Sequence, residues 1–351
     1  MEIYPQILKW LDEGKRVALA TVIQKQGSAL RGIGSKIAVT SQMEMAGSVS
    51  GGCVEGAVVE EALQVMKTGR IAISDYGIAD ETAWSVGLAC GGKIKILIQP
   101  IDDASLKGLT RESIQDLIEL KSNGKSFCLL TDLSDEGNGD VTIISKEKFV
   151  FPEKKPLWVD KDFLKKIANL EKTETSGILK TDLGEIYAEF TFPNPRLVII
   201  GAVHIAAGLV EMAHLCGYTT IIIDPRKAFA TPKRFPLVDQ LVVEWPTDGL
   251  SGIGLNSRDF LVTLSHDEKF DLPALQMALD AQCRYIGMLS SRKTCGARYA
   301  ELESQGYRLE EIKKIHAPVG LDLGARTTEE IALSILAEIT ACRYGKENEK
   351  K

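Results

Sequence analysis

The chain has 351 residues, 44% of them hydrophobic, and a formal net charge of −6. That is apolar material for two to three domains and the wrong charge sign for a nucleic-acid partner. No apolar run reaches the roughly 18 residues of a membrane span, and the N-terminal residues do not read as a signal peptide. Seven dispersed cysteines fit a reducing cytoplasm rather than a disulfide framework, and with four histidines they lack zinc-ligand spacing. No internal repeat or low-complexity segment is visible.

In chain order, Ile3 to Leu11 reads as a helix, Arg16 to Gln24 as a strand, and Lys36–Thr40 with Met45–Val49 as a hairpin. The stretch Gly47-Ser48-Val49-Ser50-Gly51-Gly52-Cys53-Val54-Glu55-Gly56 follows. It leads into a helical pattern from Val54 to Lys67, with Val54, Val58, Ala62, Val65 and Met66 on one face. Cys53 is thereby expected to open a helix behind a glycine turn. Free amides and the macrodipole favour anions there and favour a thiolate. A buried structural cysteine beside a tight turn is the plainer reading.

A strand at Arg70–Asp75 precedes a second cysteine among glycines, Gly87-Leu88-Ala89-Cys90-Gly91-Gly92, just before a strand at Lys93–Gln99. Two such sites without a paired-cysteine spacing suggest thiols and amides turned toward one polyanionic ligand. Residues 103–190 carry a helix near Glu112–Leu120 and a strand at Ser126–Thr131, then a weakly patterned polar stretch. The turn Asp135–Asp140 lacks the spacing of a calcium loop. Residues 1–190 are expected to form one mixed α/β domain of unassigned topology.

Phe192-Pro193-Asn194-Pro195-Arg196 breaks both helix and strand and marks a boundary. Beyond it strands alternate with helices, which predicts a Rossmann-like, doubly wound parallel sheet over 196–345. Strands fall at Leu197–Ile200, Thr219–Ile223, Leu241–Val243, Phe260–Leu264 and Tyr285–Leu289. Helices are predicted at Ile205–Cys216, Pro273–Ala281, Thr294–Gln305 and Ile331–Arg343. The last opens with a capping box, Thr327 to Glu330.

Strand, glycine turn, helix, strand and an acid (Asp224) after Gly201 outline a dinucleotide-binding unit. The turn, however, carries Val203 where glycine lets a pyrophosphate approach, so NAD(P) use is disfavoured. His204 meets an anion or merely caps its helix. Asp224 and Arg226 bind ribose and phosphate, or only each other. Ser265-His266-Asp267, Ser290-Ser291-Arg292-Lys293 and the glycine-punctuated loop Pro318–Gly324 supply further polar tips at the expected rim. There is no hydrolase elbow, P-loop or metalloprotease motif.

Across nearly its whole length the chain resembles the XdhC/CoxI family of molybdenum-enzyme accessory proteins. The resemblance rests on Gly51-Gly52-Cys53-Val54-Glu55 and Cys90-Gly91-Gly92, then on Gly201 with His204 and Asp224-Pro225-Arg226. It continues through Phe229-Ala230-Thr231, Arg234-Phe235-Pro236, His266-Asp267, Tyr285-Ile286-Gly287, Ser291-Arg292, Pro318 to Gly324 and Glu329 to Glu338. It implies binding and protection of the molybdenum cofactor, a molybdopterin in mono- or dinucleotide form, during sulfuration. Delivery to xanthine dehydrogenase or a related molybdenum hydroxylase, with a cysteine desulfurase as partner, is implied too. Cys53 and Cys90 would then lie near the metal or its sulfur, with flanking amides on oxo or phosphate oxygens. The Rossmann rim would hold the pterin phosphate or a nucleotide. Val203 and Ser290 stand where the family usually has glycine, and Ala89 stands where glycine is common.

The expectation is therefore a cytoplasmic, homodimeric binding and delivery protein whose two domains face one cofactor. An oxidoreductase using NAD(P) or another nucleotide is the alternative, and an assembly scaffold a third. The chain is too short to be the hydroxylase itself and lacks the clustered cysteines of its iron–sulfur centres.

Overall fold

A computed structural model describes residues 3–27, 31–77, 92–101, 108–134, 139–145, 148–152, 159–182 and 184–346. The chain divides into two compact units, Met1–Pro193 and Asn194–Lys351.

The first unit begins with α1 (Ile3–Asp12), β1 (Val17–Gln26), β2 (Lys36–Thr40), β3 (Met45–Gly47), α2 (Glu55–Thr68), β4 (Ala72–Tyr76) and β5 (Lys93–Ile101). It continues with α3 (Arg111–Ser122), β6 (Phe127–Asp132), β7 (Val141–Ser145), β8 (Lys148–Phe151), α4 (Lys161–Lys172), β9 (Gly177–Thr181) and β10 (Gly184–Thr191). The strands make two five-stranded sheets, ordered β3-β2-β1-β5-β4 and β8-β7-β6-β10-β9. Every neighbouring pair is antiparallel.

These are one topology laid down twice, and the expectation that no repeat exists is corrected. Each copy starts with a helix, runs three strands, inserts a second helix and adds two strands. Local detail repeats as well. Gly14 and Gly124 both end the first helix at positive φ, 72° and 61°. The amides of Lys15 and Lys125 then bond back to Trp10 and Leu120, each at 2.9 Å. Thr21 pairs with Leu97 in one sheet and Thr131 with Tyr187 in the other. The polar stretch after Thr131, left without strands by its weak pattern, holds most of the second copy.

Side chains alternate across each strand, so every sheet has two buried faces. The inner faces share one core with α1 and α3: Ile7, Trp10, Val17 and Leu19 meet Leu117, Leu120, Phe127 and Leu129. The outer face of the first sheet is covered by α2 through Val58, Ala62, Val65 and Met66, the stripe its periodicity predicts. That of the second is covered by α4 through Phe163 and Ile167. Lys36 of β2 and Glu189 of β10 tie the copies by an ion pair of 2.5 Å, with side chains only 9% and 14% exposed.

The second unit runs β11 (Arg196–Ile200), α5 (His204–Leu215), β12 (Thr219–Ile223), β13 (Gln240–Val242), α6 (Pro246–Ile253), β14 (Phe260–Thr263) and α7 (Glu268–Asp280). It ends with β15 (Tyr285–Met288), α8 (Arg292–Ser304), α9 (Leu309–Ile312), β16 (Ile315–His316) and α10 (Thr328–Arg343). The sheet order β13-β12-β11-β14-β15-β16 is wholly parallel. This is the dinucleotide-binding arrangement, with its reversal of strand order between β11 and β14. Cores on the two faces take α5 and α10 on one side and α6 to α9 on the other. Helix α7 starts at Glu268, five residues before Pro273 where the sequence pattern begins, because Asp267 caps it by accepting the Lys269 amide at 3.0 Å.

Candidate functional site

In the first unit, Gly47 closes β3 at φ 91°, where a Cβ would lie 2.3 Å from the Lys36 carbonyl oxygen. Gly51 and Gly52 follow at φ 86° and 115°, backbone that only glycine takes without strain. Around them the loop is organised by one carboxylate. Glu55, the first residue of α2, turns back and accepts the amides of Ser50 (3.0 Å), Gly51 (3.1 Å) and Gly52 (2.9 Å). It also accepts the Ser48 hydroxyl at 2.8 Å and the Ser50 hydroxyl. The Ser50 oxygen in turn receives the amides of Cys53 (3.0 Å) and Val54 (3.1 Å). Burial pushes the Glu55 carboxyl up, but the hydrogen bonds from Ser50 and Ser48 outweigh it and hold it down to about 2.

This changes the sequence picture of the loop. Val54, not Cys53, is the N-cap of α2. The amides at Gly51, Gly52 and Cys53 are spent inside the loop. What the loop presents is a half-buried Cys53 packed against the α2 core. Beside it Gly52 is exposed, and a Cβ there would meet nothing within 4 Å. Cys90 and Gly91 lie outside the described residues; Gly92 is buried just before β5. Among the described residues no three His, Cys, Asp or Glu side chains converge as a metal-ion site.

In the second unit, the polar tips predicted for the rim gather at the carboxyl ends of the parallel strands. Gly201 (φ 109°) lies so close to the turn after β14 that a Cβ would sit 3.0 Å from the Ser265 Cα. His204 opens α5 and is exposed. Val203 is its N-cap, with extended backbone and no side-chain cap. Its half-buried side chain packs against the α5–α10 core.

Asp224 is fully buried and occupied. It accepts the Ala202 amide at 2.7 Å, the Arg226 amide at 2.9 Å, and the Arg226 Nε and Nη2 at 2.9 and 2.6 Å. Burial pushes its carboxyl up, yet the Arg226 bonds and the two amides hold it below the usual range. The pair bind each other, which fixes the Arg226 side chain at the end of β12. Arg234 Nη1 adds a bond to the Ala202 carbonyl at 3.1 Å.

His266 is exposed and adopts φ 59°, uncommon for a residue with a side chain and frequent at functional turns. Ser291 caps α8 by accepting the Thr294 amide at 3.2 Å, and Arg292 is the first residue of that helix. The loop from Pro318 is held by Glu338, which accepts the Tyr285 hydroxyl at 2.7 Å and the Gly320 amide at 2.8 Å, beside His316 Nδ1 at 3.3 Å.

Sequence reasoning missed Asp271. It is 2% exposed and accepts the Ser265 hydroxyl at 2.6 Å; burial pushes its carboxyl up to about 6 despite that bond. Its signal is an acid among the apolar residues of α7, ahead of the helical pattern that the sequence shows from Pro273. The hydroxyls of Thr263 and Ser290, buried at the same strand ends, find no hydrogen-bond partner among the described residues. Buried polar groups at a rim that lack protein partners are what a polar ligand satisfies.

Comparison with known proteins follows the same two units. A Bacillus subtilis (strain 168) protein named as a probable xanthine dehydrogenase subunit is 26% identical over 345 residues, 95% of each chain. The molybdenum cofactor insertion chaperone PaoD of Escherichia coli (strain K12) is 27% identical over 340 residues, 97% of this chain and 87% of its own. A crystal structure described as a xanthine dehydrogenase from Bacillus halodurans shares the fold. Its TM-score is 0.74 at 24% identity, covering 100% of this chain and 98% of that one. The model of the XdhC and CoxI family matches residues 10–77, the sheet that carries the Cys53 loop, and that of the XdhC Rossmann domain matches 197–339. With both models matched in chain order, one on each unit, the chain belongs to the XdhC and CoxI family.

Proposed function

We propose that this protein binds the molybdenum cofactor, shields it and hands it to a molybdenum hydroxylase of the xanthine dehydrogenase type. It is a carrier rather than a turnover enzyme. The observation that carries the reading is the Cys53 loop: a thiol held beside open glycines by an internally satisfied carboxylate network. A soft sulfur donor suits a thiolate-binding metal centre, and the metal arrives within its own organic ligand, so a full protein ligand set is not needed. PaoD is named a molybdenum cofactor insertion chaperone, which supports the same assignment here.

In this reading Cys53 and Cys90 contact the metal or its sulfur, and Glu55 fixes the loop. Gly51, Gly52, Gly91 and Gly92 allow close approach. At the other unit, the uncapped start of α5, with His204 and the Arg226 side, receives phosphate. His266, Ser291 and Arg292 border it. We further propose that the protein acts as a homodimer in the cytoplasm, and that a cysteine desulfurase supplies the sulfur.

The test is co-expression with cofactor biosynthesis, followed by metal analysis and oxidised-pterin fluorescence of the purified protein. Wild type should retain both, and Cys53→Ser should lose most of both while keeping its circular dichroism. Equal retention by the variant would leave Cys53 a structural residue. Packing of the half-buried Val203 side chain against the α5–α10 core leaves one second reading, an NAD(P)-dependent oxidoreductase. Steady NADH turnover with no retained pterin would install it instead.

A further inference from the structure

Four planar groups follow one another along the carboxyl edge of the parallel sheet. The Arg226 guanidinium lies 4.4 Å from the Phe229 ring centroid and 5.5 Å from that of Phe270. Trp245 meets Phe270 edge-on at 5.1 Å. Phe270 beneath them is 6% exposed, but Phe229 and Trp245 are 41% and 50% exposed. The row is rigid. Asp224 grips Arg226 through two side-chain nitrogens, which fixes the guanidinium plane and neutralises most of its charge. Arg234, 5.5 Å from the Phe229 ring, ties the same segment to the carbonyl of Ala202 in the glycine turn.

Open aromatic rings beside a fixed guanidinium have little to gain from water. Their chemistry is stacking: flat heteroaromatic rings lie on aromatic faces and on arginine planes, whatever their sequence identity. The place fits too, since α/β sheets of this order bind ligands outside the carboxyl ends of the strands. The row adjoins the start of α5, whose first turn has no side-chain cap. On the Phe270 face of the sheet, Thr263 at the end of β14 is fully buried with an unpartnered hydroxyl. A stacking row, a helix start suited to phosphate and an unsatisfied buried hydroxyl together describe the recognition of a nucleotide.

We propose that Phe229, Arg226 and Trp245 form the base platform of a nucleotide site, with the phosphate at the first turn of α5. This rests on the carrier reading for the identity of the bound molecule and deepens it. The cofactor form selected here carries a nucleobase through a pyrophosphate, and the monophosphate pterin is the weaker ligand.

Calorimetric titration of the full-length protein with CMP, GMP, AMP, ribose 5-phosphate and inorganic phosphate tests the platform without any molybdenum. At least one nucleotide should bind about tenfold or more tightly than ribose 5-phosphate. Phe229→Leu and Trp245→Leu should each remove about tenfold of that preference, the size of a lost stacking contact, and leave ribose 5-phosphate unchanged. Should a variant fold poorly, photocrosslinking wild type with 5-iodocytidine monophosphate replaces it; the label should fall on the peptide bearing Phe229 or Trp245. Equal binding of nucleotide and ribose 5-phosphate, absence of nucleotide binding, or a label elsewhere overturns the platform, and leaves the aromatic row as a protein-docking patch. The two readings fail differently. Without a platform, purified protein still retains molybdenum but shows no base dependence; without a carrier role, base dependence persists and no pterin is retained.

Discussion

Glu55 accepts the amide of Gly52 at 2.9 Å, so the first residue of a helix closes the loop that leads into it. A carboxylate suits this task because it only accepts, and five donors from Ser48, Ser50, Gly51 and Gly52 converge on it. Glu55→Gln keeps the shape but brings an NH2 group to face those donors. Leaving such groups unsatisfied costs about 1–3 kcal/mol. The expected result is a lower unfolding midpoint and faster alkylation of Cys53. An unchanged alkylation rate would mean that the loop is held by its backbone alone.

The same carboxylate carries a pH dependence. Its folded value is about 2 against 4.5 for the unconstrained group, a depressed acid. Its contribution to stability is therefore complete above about 4.5 and lost as the pH falls toward 2. Wild type should lose its stability advantage over Glu55→Gln across that window and nowhere above it. Paired thermal melts from pH 2 to 7 measure the difference directly, which cancels the other titrating carboxylates.

How much of this was legible in the sequence depends on what each element must satisfy. The parallel sheet was readable because its strands are buried on both faces and run as continuous apolar blocks, such as Leu197 to Ile200. The second antiparallel copy was not. Strand β9 shows only intermediate burial apart from the exposed Lys180, and β10 carries Glu185 and Glu189 among its apolar residues. The repeat itself keeps Gly14 and Gly124, Leu19 and Leu129, Thr21 and Thr131, because those positions fix a helix end and a strand register. Elsewhere a core asks only for suitable volume. At the site, the cysteine–glycine loop is visible as a motif, but that Glu55 consumes its amides is not, because the partner of each amide is set by how the loop folds back on α2.

Asp271 titrates in the opposite sense to Glu55. Its folded value of about 6 lies above the ordinary 3.8, so ionisation is resisted in the folded state. Its contribution is fully present below about 3.8 and is lost as the pH rises through about 6. Asp271→Asn should be the less stable protein at pH 4, where it loses the protonated acid, and should close that gap by pH 7. Denaturant melts at the two pH values decide it. A gap that stays constant would show that Asp271 is ionised throughout.

Val203 gives the last prediction, one that reverses the sequence argument. From the sequence, a β-branched side chain in the glycine turn should obstruct a pyrophosphate, and glycine in its place should admit NAD(H). In the structure the turn's positive φ belongs to Gly201, while Val203 has extended backbone and rests its half-buried side chain against the α5–α10 core. Removing its side chain is therefore expected to loosen that packing more than to open the helix start. Val203→Gly should cost about 1–2 kcal/mol through lost packing and greater freedom of the unfolded chain. Its affinity for NAD(H) should stay within about twofold of wild type, a change of less than half a kcal/mol. Calorimetric titration alongside a denaturant melt tests both halves. A large gain in NAD(H) affinity at unchanged stability would put the valine side chain back over the phosphate position.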